Sequence, residues 1–261
     1  MIKEFVLNDQ TKTSCLNNLI LDWENKDNKV FKFISIASGA KEVRNLFDNF
    51  FSEIGTFLHI AEDGREKDRS KGRTGEVWCE VRNDSSIKNA YRHATIAQPL
   101  HTDGSYIPNY SSSIMACVSS AVIGGETIFV NAENILNDLK LNDKNLYEFV
   151  TSEDVIHERS GDIRTNKIFY YEKDVLRVNF NYYCVSKTNT DKIIENSKKF
   201  FEYLISLEKK EKINVPLFKI KLNPGEAIIW KDDQVFHGRH AFSATKDSER
   251  FLWKASYQPN F

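Results

Sequence analysis

The residue types best suited to metal chemistry in this chain are His101 and Asp103, separated only by Thr102. On an extended strand, side chains at i and i+2 leave the same face. One imidazole and one carboxylate can therefore reach a single ion. A third ligand from a distant strand would complete a facial set of two histidines and one carboxylate. Such a set leaves coordination positions open and is characteristic of non-haem Fe(II) oxygenases. Downstream, His237 and His240 compete for the third position, whereas His59, His93 and His157 lack a comparable context and suit surface or hydrogen-bonding roles. The same three donors around zinc, with a bound water, would make a hydrolytic site. A non-catalytic binding module is the third class consistent with the residues alone.

The surrounding sequence narrows these readings. The pair sits in Gln98-Pro99-Leu100-His101-Thr102-Asp103-Gly104-Ser105-Tyr106. Gly124-Gly125-Glu126-Thr127 follows, then Val235-Phe236-His237-Gly238-Arg239-His240, and last Glu249-Arg250-Phe251-Leu252-Trp253-Lys254. Together, in this order, the four blocks resemble the taurine dioxygenase and γ-butyrobetaine hydroxylase group of Fe(II)/2-oxoglutarate oxygenases, over residues 95 to 257. The resemblance implies a double-stranded β-helix, with Fe(II), 2-oxoglutarate and dioxygen as the reacting set. It also places the distal ligand immediately before Gly-Arg, which selects His237 over His240.

The resemblance further assigns Arg250, 13 positions beyond His237, as the anchor for 2-oxoglutarate. A guanidinium presents a fixed fork that grips a carboxylate in two places. Thr127, 26 positions beyond His101, matches the threonine whose hydroxyl bonds the same carboxylate. Lys254, Tyr106 and Arg239 are the candidate substrate contacts. Lys254 stands where taurine dioxygenase-like enzymes carry a substrate-gripping arginine. An ammonium is a point charge without the planar fork, so an anionic substrate group remains compatible with it, whereas a sulfonate like that of taurine is disfavoured. Arg239 fits equally as an orienting or a supporting residue. An intact Asp103 argues for hydroxylation, since related halogenases lack that carboxylate; desaturation and epoxidation would use the same residues. The expected substrate is a small polar molecule, an amino acid or derivative first.

The elements that must position these residues are mostly short strands. Strands are expected at Ser112–Val122, Glu126–Val130, Asp154–Glu158, Lys167–Tyr171, Leu176–Phe180, Val215–Leu222, Glu226–Lys231, Gln234–Gly238 and Arg250–Tyr257, separated by turn signals. Residues 41–54 carry Val43, Leu46, Phe47, Phe50, Phe51 and Ile54 at helical spacing, and residues 191–209 form the clearest helix. Asn131 or Asn134 caps a short helix near Leu136–Leu139. Residues 61–75 are highly charged and read as a surface loop. The aromatic runs Phe169-Tyr170-Tyr171 and Phe180-Asn181-Tyr182-Tyr183 fit core packing better than a cage for a quaternary ammonium. Many short strands with peripheral helices predict a mainly β, cupin-like jelly roll in one domain over residues 1–261.

Composition excludes other classes. Hydrophobic residues make up 41% and charged residues 28% of 261, an ordinary globular balance. Lys+Arg 36 against Asp+Glu 37 leaves a net charge of −1. No basic excess points to nucleic acid or an anionic membrane. The four cysteines form no C-x-x-C pair and suit reduced thiols. No apolar run is long enough for a spanning helix, and Met1–Ile20 lacks the pattern of a signal peptide, so a cytoplasmic enzyme is expected. Oligomeric state is unreadable in the sequence.

Overall fold

The computed structural model describes residues 2–58, 77–86, 90–108, 110–159, 161–209 and 215–261. The expected charged loop at 61–75 and His59 lie outside these. In chain order the elements are β1 (Ile2–Val6), α1 (Lys12–Trp23), β2 (Val30–Ile34), α2 (Ala40–Phe51), β3 (Gly55–Leu58), β4 (Trp78–Arg82), β5 (Gln98–His101), β6 (Ser112–Ser119), β7 (Ile123–Gly124) and β8 (Thr127–Asn131). Then come α3 (Ala132–Asn142), α4 (Lys144–Ser152), β9 (Asp154–Arg159), β10 (Asp162–Lys167), β11 (Phe169–Glu172), β12 (Val175–Val178) and α5 (Asp191–Glu208). The chain ends with β13 (Phe218–Ile220), β14 (Glu226–Lys231), β15 (Val235–Arg239), β16 (Phe242–Ser243) and β17 (Phe251–Pro259). Among the described residues the protein is mainly β with five α-helices.

Two sheets carry the architecture. The larger runs β1-β2-β14-β6-β17-β3, with β4 also on β17; the smaller runs β13-β8-β15-β5. A period of two sorts side chains between faces. On β6, Met115 and Cys117 join a cluster shared with Phe129, Val235 and Trp230, which draws on both sheets. Their neighbours Ile114 and Ala116 instead pack with Phe47, Phe50 and Phe51 of α2. Behind the smaller sheet, Ile128, Val130 and Phe236 meet residues of α3, α4 and α5. The result is helices, large sheet, inner core, small sheet, helices.

Several boundaries differ from expectation, each for a local reason. The stretch expected as one strand at Lys167–Tyr171 divides: β10 ends at Lys167 and β11 begins at Phe169. β10 was invisible because its sequence, DIRTNK, carries one apolar residue and alternates between exposed and half-buried positions. The helix expected over 41–54 closes at Phe51, and Val215–Leu222 is strand only at Phe218–Ile220. Asn131 caps α3 by accepting the Glu133 N–H. Among the described residues, no helix is long and apolar enough to cross a membrane.

α5 is also tied to the strand that will matter most. Glu208 accepts the Leu100 N–H of β5 at 2.5 Å. Burial pushes the Glu208 carboxyl up from 4.5 to about 7. A pKa raised in the folded state means that the native protein holds an extra proton between these values. Its stabilisation is complete below the unfolded value and is lost as pH rises through about 7. The urea midpoint should therefore fall between about pH 5 and 8, and fall less in Glu208→Gln, whose amide oxygen still accepts from Leu100.

Candidate metal and carboxylate site

The antiparallel ladder between β15 and β5 makes His237 and His101 direct cross-strand partners. Their rings lie 4.3 Å apart. His101 is the last residue of β5, so Asp103 sits in the following turn rather than on the strand itself. That turn is pinned: the Thr102 N–H donates to the Phe180 carbonyl at 2.8 Å, and the Thr102 hydroxyl accepts the Phe180 N–H at 2.9 Å. Gly104 then turns with φ +55° against the ring of Tyr110, where a Cβ would come within 2.5 Å of the ring. His101 and Asp103 are brought together through a turn instead of the shared pleat that strand spacing predicts.

One donor atom from each of His101, Asp103 and His237 lies within 4.8 Å of the other two. Asp103 Oδ1 is 3.6 Å from His101 Nε2, and Asp103 Oδ2 is 3.2 Å from His237 Nε2. Both imidazoles are held from behind. His101 Nδ1 is 2.8 Å from the Pro99 carbonyl, which can only accept, so Nδ1 carries the hydrogen. His237 Nδ1 faces Asp232 Oδ1 at 3.0 Å. Each Nε2 is thereby turned toward Asp103, the orientation a ligating histidine needs.

The electrostatics follow from burial and close charge. Burial works against the Asp103 carboxylate, but the Lys254 ammonium and His237 hold it well below the usual carboxylate range. Lys254 Nζ lies 2.5 Å from Asp103 Oδ2, and Ser113 Oγ lies 3.1 Å from the same oxygen. Burial disfavours the His237 imidazolium, yet Asp232 and Asp103 outweigh it and raise the group to about 9. For His101, burial and the neighbouring His237 push the other way.

A second set of groups is cationic. Arg250, immediately before β17, is buried and donates from Nη2 to the Gly125 carbonyl at 3.4 Å. Its Nη1 is buried without a hydrogen-bond partner. Among the described residues no carboxylate forms an ion pair with it. Burial pulls its pKa down to about 10. Arg239 is buried too, pulled down to about 9 by burial and by Arg250. The two guanidiniums lie 5.2 and 5.4 Å from the ring centroid of Phe242. Thr127 opens β8, is buried, and pairs in register with Arg239. Gly125 has φ +78°, and a Cβ there would lie 3.1 Å from Arg250 Nε. The Gly-Gly-Glu-Thr block thus leaves room for the arginine.

The remaining candidates are placed as follows. Arg239 Nη2 donates to the carbonyls of Tyr91, Ala94 and Ile96 at 3.0, 2.8 and 2.7 Å. Tyr106 is buried in the loop after Asp103. His240 lies outside the cluster, 3.4 Å from Glu126. His93 is buried with Nδ1 2.9 Å from the Arg82 carbonyl. His157 corrects its surface or hydrogen-bonding reading: it is fully buried, edge-on to Phe180, and burial holds it down at about 4. Phe169 and Phe180 belong to the core beside α5 and Tyr182 stacks on Phe201 at 4.4 Å, so these members of the aromatic runs pack, while Tyr171 and Tyr183 are exposed. Cys15, Cys117 and Cys184 are buried thiols. Asp232, Ser113 and Gln98 were missed; only Asp232, five residues before His237, had a legible signal, and it reads equally as a turn.

This fold and this donor set define an oxygenase-like metal centre, and comparison supplies the family. The chain matches the Taurine catabolism dioxygenase TauD, TfdA family over residues 41–256, and it belongs to that family. It is therefore a dioxygenase, with Fe(II), 2-oxoglutarate and dioxygen as its reacting set. It is 22% identical over 190 residues to uridine-5'-phosphate dioxygenase of Amycolatopsis sp, covering 69% of this chain and 68% of that one. It is 25% identical over 152 residues to human gamma-butyrobetaine dioxygenase, covering 53% of this chain and only 38% of the relative. Similar solved structures include asparagine oxygenase in complex with Fe(II), 2S,3S-3-hydroxyasparagine and succinate, with TM-score 0.66, 11% identity and coverage of 95% and 79%. Non-heme iron oxygenase OrfP with Fe and alpha-ketoglutaric acid gives TM-score 0.67, 10% identity and coverage of 98% and 93%. At these identities the likeness is one of fold.

Gly125→Ala tests the fit around Arg250. A side chain at this positive φ costs about 1–2 kcal/mol, and its Cβ would press on the guanidinium. The urea midpoint should fall accordingly, and 2-oxoglutarate affinity should fall with it. Unchanged 2-oxoglutarate affinity would separate Gly125 from the cosubstrate.

Proposed function

We propose that the chain is a single-domain jelly-roll oxygenase that hydroxylates an unactivated C–H bond of a small polar molecule, an amino acid or amino-acid derivative. The observation that carries this reading is the convergence of His101, Asp103 and His237, both imidazoles turned inward by their Nδ1 contacts. Two nitrogens and one carboxylate oxygen suit Fe(II) and leave positions for other ligands. When bound, Fe(II) supplies dioxygen activation coupled to decarboxylation of 2-oxoglutarate to succinate.

The chain's own residues do the rest. Arg250, buried with an unpartnered Nη1, receives the far carboxylate of 2-oxoglutarate as a charge-assisted pair. Thr127, buried beside Arg239 in register, adds a hydroxyl to the same end. Burial of these groups keeps water from competing for the contact. Lys254, 2.5 Å from Asp103, and Tyr106, in the loop after Asp103, are the proposed substrate contacts, together with Arg239. Lys254 is engaged by Asp103, so its charge is already balanced within the site. A zwitterionic substrate then fits better than one carrying a net anionic demand. The solved structures holding hydroxyasparagine and, for OrfP, (3S)-hydroxy-L-Arg support the amino-acid class.

The direct test is a screen of free amino acids and their derivatives for substrate-stimulated succinate release by the Fe(II)-loaded protein. His101→Ala should abolish the signal while the circular dichroism spectrum is retained; iron-dependent turnover in this variant would sink the assignment. Arg250→Lys replaces a fork by a point charge. Loss of one charge-assisted hydrogen bond costs roughly 1.5–3 kcal/mol, about tenfold to a hundredfold in affinity. The concentration of 2-oxoglutarate giving half-maximal succinate release should rise by that factor, and an unchanged value would remove Arg250 as the anchor.

A further inference from the structure

Asp232 occupies the turn between β14 and β15, with its carboxylate wholly buried. Its own N–H donates to the Ser111 carbonyl at 2.8 Å. Oδ1 lies 3.0 Å from His237 Nδ1 and also accepts the Asp103 N–H at 3.3 Å. Ser113 Oγ lies 2.8 Å from Asp232 Oδ2 and 3.1 Å from Asp103 Oδ2, bridging the two carboxylates. The Tyr110 hydroxyl contacts the Ser113 oxygen from the other side. Among the described residues no Lys or Arg forms an ion pair with Asp232. A buried carboxylate without such a partner is costly, and here every neighbour of its oxygens leads to a metal ligand.

We propose that Asp232 is the positioning residue of the metal site. It fixes the His237 ring with Nε2 inward, strengthens that imidazole as a donor, and holds the Asp103 turn through its backbone. One carboxylate thereby orients two of the three ligands, which come from parts of the chain more than a hundred residues apart. The sequence places it in Lys231-Asp232-Asp233-Gln234, beside a second, half-buried carboxylate with a different task. Asp233 pairs with Arg177 at 2.6 Å and touches none of the ligands. The inference rests on the metal-site reading above and goes beyond it by naming what sets the ligand geometry.

Co(II) affinity, measured by calorimetry without cosubstrate or substrate, tests this. Partners that orient a ligating histidine typically contribute tenfold to a hundredfold to metal affinity. Asp232→Asn, nearly isosteric, should lose about that factor, and Asp233→Asn should not, although it breaks a half-buried ion pair. A general loss of packing would weaken both. In the Co(II) form of the unaltered protein, the His237 Nδ1–H proton should be visible by NMR and protected from exchange by Asp232. Affinity in folded Asp232→Asn within about threefold of the unaltered protein would overturn the proposal. If that variant fails to fold, fast exchange of the His237 ring proton in the unaltered protein overturns it instead. Failure of the unaltered protein to bind Co(II) would count against the metal site itself.

Discussion

The pairing of His101 with His237 across β5 and β15 is the constraint on which the site depends. Hydrogen bonds of an antiparallel ladder fix which residues stand opposite, and a slip of one residue turns every side chain to the other face. Here a slip would send one imidazole into the helix-covered layer behind the small sheet, where Leu100 and Phe236 pack. Those flanking residues are apolar and fully buried, so the hydrophobic layer enforces the register that the metal ligands require. Gly238 adds to this, since a Cβ there would come within 2.7 Å of the Gln98 carbonyl on β5.

Charge is distributed between the two halves of the site in a complementary way. Around the ligands, Asp103 and Asp232 are set against Lys254 and His237, and Coulomb attraction overcomes the cost of burial. Around Phe242, two guanidiniums stand without an ion-paired carboxylate among the described residues; burial lowers both pKa values, and Arg250 lowers that of Arg239 further. The second region is electrostatically incomplete and the first is balanced. A dicarboxylate with one end at the metal and the other at Arg250 would complete it, which agrees with the cosubstrate of the family.

How much of this was legible in the sequence depended on range. Spacing singled out His101 and Asp103, and block order singled out His237, Arg250 and Thr127 as candidates, because each lies in a short segment with its own signature. Periodicity found α5, where Phe200, Leu204 and Leu207 are buried on one face. Position-dependent burial was not legible. Asp232-Asp233, between the strands expected at Glu226–Lys231 and Gln234–Gly238, reads as a solvated turn, yet Asp232 is fully buried. His157 was misplaced for the same reason: its burial arises from Phe180, reached only through the tertiary fold. Strand edges failed where polar sequence pairs in a two-stranded ribbon, as in β10 with β9.

Arg239 has a mechanical meaning as well as an electrostatic one. Its guanidinium gathers three carbonyls between Tyr91 and Ile96, and its backbone shares β15 with His237. The segment leading into β5 is therefore stapled to the strand carrying the distal ligand. A displacement of either one drags the other, so the approach to the ligands cannot widen on this side without disturbing the ligands themselves.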